Sequence, residues 1–328
     1  RMEESMSDPL ISIITSCYNV AGFIRGAAAC IQAQTYVQLE WILIDDGSTD
    51  ETASVIQSLQ DPRIRYFYQE NKGPSAALNH GIRVSMGKYI KFFDPDDILN
   101  DSHIASQLEA IRDEEGAVAS CGWARFYDGN LQHAMFRPEE VWRDMPALEW
   151  VKTSLSQKYD MMAGWLWLIP RGLLDRIGGW DERLSLNNDF EFTIRLLTHA
   201  SQVRFAKDAR LYYRSGMPSS YSQKSSVKAY EAALLSNDLG CQHLLAREDN
   251  ARTRTLCADR YQEWLFIMYP TAPELEARLE DRIRHYGGSD RTMAGGSVFR
   301  FFCWLLGWRR TKRLKMSLER MGYRKLPF

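Results

Sequence analysis

The chain has 328 residues, of which 45% are hydrophobic, 25% charged and 12% aromatic. These are globular values, and they exclude a disordered chain, a collagen-like repeat and a coiled-coil rod. The formal net charge of −1 hides an asymmetry, because residues 291–328 carry ten Lys/Arg against one acid, Glu319. An acidic body therefore ends in a basic tail.

No run approaches the roughly 18–20 apolar residues that a membrane-spanning helix needs. The opening RMEESMSDPL has no apolar core of a secretory signal. The expectation is a cytoplasmic protein, with residues 1–9 an N-terminal tail or expression remnant outside the fold.

In chain order, four short apolar runs rich in β-branched and aromatic residues come first: 10–15 (LISIIT), 39–44 (LEWILI), 64–68 (IRYFY) and 88–93 (KYIKFF). Helices are predicted between and after them, at 20–34, 50–60, 74–86 and 101–114. Such alternation predicts a parallel sheet covered on both faces, gathering ligands beyond the carboxyl ends of its strands. From 117 onward, strands at 117–123, 165–169, 203–206 and 210–214 mix with helices near 146–157, 171–177 and 188–199. MPSSYSQK (217–224) reads as a mobile loop, 225–286 as helical almost throughout, and 287–289 as punctuation before the basic tail.

Six widely spaced cysteines show no CxxC or Cys/His ligand spacing, and six histidines form no HExxH. Reduced thiols are expected, and any metal must be held by carboxylates. Asp45 and Asp46 stand directly after the second strand. Ser48 and Glu51 in the same segment have the spacing of a capping box, but a cap does not need two adjacent acids at the ligand edge. Asp94, Asp96 and Asp97 follow KYIKFF, where carboxylates at i and i+2 can meet one hard cation, Mn²⁺ or Mg²⁺. A solvated turn is the structural alternative. The same pattern suits a DxD-type phosphatase with Asp94 as nucleophile, although Asp97-Ile98 stands where that chemistry wants a Gly-Thr pair. No GxGxxG, P-loop or GxSxG segment occurs. General-base candidates lie in GGWDE (178–182) and NNDFE (187–191), where a first-turn acid favoured by the helix dipole is the plain structural explanation.

Together, ISIITSCYN ending at residue 19, ILIDDGSTDET (42–52), NKGPSAALNHGI (71–82), GKYIKFFDPDD (87–97) and GGWDE…NNDFEF (178–192) resemble the inverting family 2 glycosyltransferases. The resemblance is strong over 10–100, good over 160–215 and weak beyond 225. It implies a GT-A fold: an α/β, Rossmann-like mixed sheet flanked by helices, here with a helical C-terminal extension. It further implies a catalytic domain at 10–215 with a donor half (10–100) and an acceptor half (101–215), a loop at 216–224 and a helical region at 225–328. By the same resemblance, Asp46 pairs with the nucleobase, usually uracil, with Tyr18 against it and Ser16 at its border. Asp94 approaches ribose or metal, and Asp96 holds the Mn²⁺ or Mg²⁺ that bridges the diphosphate, with Asp97 in support. Asp189 is the catalytic base and Glu191 the fallback, although Asn188 stands where the family usually has an acid. Lys72 and Arg214 are candidates for the phosphates, or are solubilising charges. Trp165 and Trp167 fall on the acceptor side, where they stack on sugar or simply alternate along a strand. His80 is read as structural. The activity implied is metal-dependent, inverting transfer from a nucleotide-sugar donor, a UDP-sugar, to a glycan or lipid-linked acceptor in polysaccharide biosynthesis. A non-catalytic nucleotide-sugar-binding protein is the non-enzyme alternative.

In the tail, Phe301, Trp304, Leu305 and Trp308 recur at helical spacing and Arg309, Arg310, Lys312, Arg313 and Lys315 follow. This is the composition of an interfacial helix on an anionic membrane surface, formed by 297–328 at the inner face of the cell membrane. The alternative is a helix packing its stripe on the protein. Nucleic acid is not an expected partner, since the body is acidic and no recognised nucleic-acid module occurs.

Overall fold

A computed structural model describes residues 8–112, 114–127, 129–157, 161–216 and 226–321. The loop expected at 216–224, apart from Gly216, most of the N-terminal tail and the last seven residues of the basic tail lie outside the described residues. The chain divides into two compact units, residues 1–223 and 224–328.

The first unit runs β1 (Ile11–Cys17), α1 (Ala21–Gln32), β2 (Leu39–Asp46), α2 (Thr52–Gln57), β3 (Ile64–Gln69), α3 (Pro74–Val84), β4 (Tyr89–Phe92), β5 (Ile98–Leu99) and α4 (His103–Ile111). It continues with β6 (Ala117–Phe126), β7 (Met145–Pro146), α5 (Ala147–Ser156), β8 (Leu168–Pro170), α6 (Arg171–Ile177), α7 (Asn188–His199) and β9 (Gln202–Arg214). Among the described residues the sheet has the order β3-β2-β1-β4-β8-β6-β9-β5, with β7 on β9. Strands β1 to β4 are mutually parallel, and β8 is antiparallel to both β4 and β6. This is the mixed sheet flanked by helices that the motifs imply.

The continuous apolar runs explain the parallel half. All eight residues of β2 are buried, which requires cover on both faces of the sheet. Helix α3 approaches β1 so closely that a Cβ on Gly81 would fall 2.3 Å from Ile14. The strands end together: Cys17 pairs with Asp45 across β1–β2, and Ile14 with Phe92 across β1–β4. Residues just beyond these positions share one edge of the sheet.

Three local expectations are corrected. The Ser48–Glu51 capping box does not form; Ser48 Oγ accepts the Asn19 N–H, and Asp50 instead accepts the backbone N–H and hydroxyl of Thr52 at the start of α2. Residues 165–169 are not one strand, because Gly164–Leu166 is a 3₁₀ turn and β8 starts only at Leu168. The strands expected at 203–206 and 210–214 are a single β9, with the register slip between Cys121 and Gly122 of β6 absorbing the polar segment between them.

In the second unit, α8 (Val227–Arg247), α9 (Ala251–Met268) and α10 (Pro273–His285) occupy the stretch read as helical, followed by α11 (Ser297–Leu306) and α12 (Trp308–Arg320). Ser226 caps α8, and a reciprocal Asn250/Thr253 box caps α9. Asp238 of α8 accepts the Tyr261 hydroxyl from α9 and the Arg282 guanidinium from α10, so one carboxylate ties three helices. No described helix is long and apolar enough to cross a membrane.

Candidate active site

Asp45 and Asp46 end β2 side by side but serve different ends. Asp45 accepts the Ser48 N–H and the Tyr66 hydroxyl, which fixes its own turn. Asp46 reaches forward to the 71–73 segment: Oδ1 accepts Gln69 Nε2 (2.7 Å) and the Lys72 N–H (2.9 Å), and Oδ2 accepts the Gly73 N–H (2.8 Å). A carboxylate has about four acceptor positions, so Oδ2 retains one for a ligand N–H. Gly73, at φ +91°, is the turn that makes this reach possible before Pro74 opens α3.

A chain of hydrogen bonds holds Asp46 in place. Gln69 gives its amide N–H to Asp46, so its carbonyl faces His80 Nδ1 at 2.9 Å. That geometry assigns the proton to Nδ1 in the neutral imidazole, and burial and Arg83 both lower the pKa of His80. His80 is thus structural, as expected. Ser16 lies at the end of β1 and Tyr18, half exposed, just beyond it. Asn19, at φ +54°, accepts the Thr49 and Asp50 N–H groups and locks the turns after β1 and β2 together. Lys72 is exposed.

The acidic segment after β4 is built differently. Asp97 is buried; its Oδ1 accepts the Arg214 N–H (2.8 Å), while Oδ2 has no partner among the described residues. Arg214 Nε donates to the Asp96 carbonyl, and its guanidinium lies between the rings of Phe23 and Phe126. Asp94 is open to solvent on one side, yet the protein crowded round it, then Asp96 and Asp189, push its pKa upward. Asp96 is raised by burial against the opposing pull of Arg214, and Asp97 is raised well above the carboxylate range by burial and by Asp94 and Asp96. Tyr213 is pushed up to about 12, first by burial and then by these same charges. Carboxylates raised first by burial and, at Asp94 and Asp97, then by their acidic neighbours form a site short of positive charge.

That donor set fits a hard divalent cation. All ligands are carboxylate oxygens, and Mg²⁺ or Mn²⁺ commonly takes one or two of these and completes its shell with water and substrate phosphate. Among the described residues no group of three or more His, Cys, Asp or Glu side chains is arranged to hold a metal ion by itself.

Asp189 enters from the first turn of α7. Its Oδ1 accepts the Gly164 N–H at 2.7 Å, and burial raises its pKa to about 6 despite that bond. Asn188 Nδ2 donates to Ser75 Oγ at the start of α3, which ties α7 to α3. The fallback base is corrected: Glu191 is buried and engaged by both prongs of Arg195, which also holds the carbonyls of Ile177 and Gly179. The acceptor-side tryptophans are corrected as well. Trp167 is fully buried against Trp150, and Trp165 is buried against Tyr213 and Trp123, so neither ring is exposed for stacking on a sugar.

Several positioning residues went unnoticed in the sequence. Gly164 is one, since a Cβ there would fall 2.4 Å from the Trp180 ring and 3.3 Å from Asp189 Oδ1. The carbonyls of its turn are held from beneath by Lys91 Nζ on Trp165 (2.6 Å) and Gln107 Nε2 on Leu166 (2.8 Å). Lys91, a lone lysine in an apolar strand, was a visible flag. Asn79 is another: its amide clamps both the N–H and the carbonyl of Trp180, and a Cβ on Gly179 would land 2.1 Å from its Oδ1. Gly179 is thereby explained by this close approach, and Gly178 before it by its φ of +78°.

The family model "Glycosyl transferase family 2" matches residues 12–178. An uncharacterised glycosyltransferase of Rickettsia typhi is 30% identical over 203 residues, covering 61% of this chain and 62% of that protein. Glycosyltransferase GlyG of Streptococcus pneumoniae is 36% identical over 127 residues, covering 37% of this chain and 42% of the relative. The chain thus spans less than two thirds of the length of these relatives. Among solved structures, S. aureus TarS 1–349 in complex with UDP-GlcNAc superposes with a TM-score of 0.63 at 16% identity, over 84% of this chain and 79% of that one. A mannosyltransferase from Pyrobaculum calidifontis in complex with GDP-Man and Mn²⁺ gives 0.58 at 14% identity, over 98% and 82%. At those identities the likeness is one of fold, a GT-A sheet with its flanking helices. With the family match covering half the chain, this protein belongs to glycosyl transferase family 2.

Proposed function

We propose that the protein is a metal-dependent, inverting glycosyltransferase that moves a sugar from a UDP-sugar to an acceptor hydroxyl in glycan or polysaccharide biosynthesis. The observation that carries this reading is Asp189: a carboxylate held by the Gly164 N–H beside the Asp94/Asp96 cluster, with a pKa near 6. Such a group is deprotonated at neutral pH and close enough to it in basicity to take a proton from a hydroxyl. Asp46 would receive a nucleobase N–H on its remaining Oδ2 position, with Tyr18 against the ring and Ser16 at its border. Asp96 and Asp94 would hold Mn²⁺ or Mg²⁺, which when bound supplies positive charge opposite the departing diphosphate. Lys72 and Arg214 would add positive charge on the phosphate side. Asp189, on the other side of the reacting carbon, would deprotonate the acceptor, so that a single displacement inverts the anomeric centre. The acceptor is a glycan or lipid-linked saccharide, met in the cytoplasm at the inner face of the cell membrane.

Asn188 is the residue that argues for a non-catalytic binder, but its amide is engaged with Ser75. Its presence leaves the carboxylate of Asp189 untouched. The test is a panel of nucleotide sugars with Mn²⁺ and saccharide acceptors, followed by NMR of the product. An α-linked donor should yield a β-linked product with release of one nucleoside diphosphate. Retention of configuration would overturn the single displacement, and binding of a donor without turnover on any acceptor would favour the binder.

A further inference from the structure

The last two helices of the second unit have one apolar face too many. In α11 the inward residue is Phe299, which is buried, and Lys315 of α12 lies over its ring at 5.3 Å. Helix α12 is tied to α9 and α10: Trp308 packs edge-on to Phe266 and Tyr269, Lys312 donates to the Phe266 carbonyl, and Arg309 pairs with Glu280. The hairpin thus already has its intramolecular contacts. Yet Phe301, Trp304 and Leu305 are 55%, 80% and 56% exposed, and Val298, Leu306, Leu314 and Met321 extend the patch. Leaving large rings in water forgoes roughly 25 cal/mol per Å² of apolar area, and an exposed patch of this kind marks an interaction surface.

Charge identifies the occupant. Helix α11 carries Arg300 and no acid, while α12 carries Arg309, Arg310, Lys312, Arg313, Lys315 and Arg320 against Glu319 alone. Arg310, Arg313 and Arg320 are exposed. A second copy would bring two basic hairpins together, which like charge opposes. A spanning role is closed to α11, whose ten residues cover about 15 Å, half a hydrocarbon core. We propose that α11–α12 is a peripheral docking hairpin for an anionic lipid bilayer. Phe301, Trp304 and Leu305 enter the headgroup–acyl boundary, and the exposed arginines meet lipid phosphates. This reading does not depend on the transferase assignment, and its experiment is read without substrate.

The test is co-sedimentation of the full chain with vesicles of phosphatidylglycerol in phosphatidylcholine, across lipid ratio and salt. Binding should rise with the anionic fraction and fall with NaCl. Trp304→Glu/Phe301→Glu and, separately, Arg310→Glu/Arg313→Glu should each weaken it by about tenfold or more. Circular dichroism checks folding; should the aromatic pair fail to fold, the exposed arginine pair carries the decision. Equal binding to pure phosphatidylcholine, binding indifferent to both variant pairs, or a dimer in light scattering that Trp304→Glu dissolves while vesicles bind nothing would each overturn the proposal.

Discussion

Asp46 and the Asp94–Asp97 segment follow strands β2 and β4, on either side of β1, and use the same side chain, but one is finished and the other is not. Asp46 has three hydrogen bonds from its own chain and holds the 71–73 turn in place. Asp97 has an oxygen with no partner among the described residues, and burial followed by nearby carboxylates pushes the pKa of Asp97 and of Asp94 upward. The first carboxylate stabilises the fold whether or not a ligand is present. The second group destabilises it until positive charge arrives, as expected where function requires unpaired charge.

The largest expected effect lies on the unfinished side. Asp189→Asn keeps an acceptor for the Gly164 N–H but removes the base, so kcat should fall about 10²- to 10⁴-fold with donor affinity unchanged; steady-state kinetics beside donor binding measures this. A parallel loss of donor affinity would place Asp189 in binding instead. Next comes Gly164→Ala, whose Cβ would press on Trp180 and Asp189. A cost of about 1–3 kcal/mol in urea unfolding and a kcat loss of about 10- to 100-fold are expected together.

The two carboxylate types should part in metal-free melting experiments. Asp46→Ala strands three donors and should cost about 1–3 kcal/mol. Asp94→Asn relieves crowded charge and should raise the melting temperature while abolishing transfer. If both variants lose stability alike, the distinction between finished and unfinished sites fails.

The smallest effect belongs to Lys91, which is wholly buried, with burial lowering its pKa to about 8. At pH 7, Lys91→Met trades a desolvated charge for an unpaired Trp165 carbonyl, and should be within about 1 kcal/mol of neutral. Its signature is the pH slope. Between about 8 and its ordinary value of 10.5, the unfolded chain binds this proton more tightly than the native protein, so wild-type stability gains from this group as pH rises. Below that window the penalty is fully present, and above it the penalty is gone. Urea midpoints of the variant should lack this increment.

Much of this was legible in the sequence because it is local. Strands β1 to β4 announce themselves as unbroken apolar runs, and the acids at their ends follow from where a parallel sheet presents its ligands. What stayed hidden depends on distant partners. Trp165 and Trp167 alternate with leucines as a strand residue would, but the first belongs to a tight turn whose carbonyls are held by Lys91 and Gln107. The Ser48–Glu51 spacing is a sound capping signal, yet Asn19, 29 residues earlier in the chain, claims Ser48 first. Glu191 stands as a fallback to Asp189 in the sequence, which does not show that Arg195, one helical turn away, occupies it.

In the proposed function Asp96 would serve a cation shared with the donor, while Asp46 would serve the base. Calorimetric titration of UDP into the wild type and Asp96→Ala, each with and without Mn²⁺, tests it most directly. Mn²⁺ should tighten UDP binding in the wild type and leave Asp96→Ala unchanged, with the weak metal-free binding equal in both. A variant that keeps the full Mn²⁺ increment would contradict it.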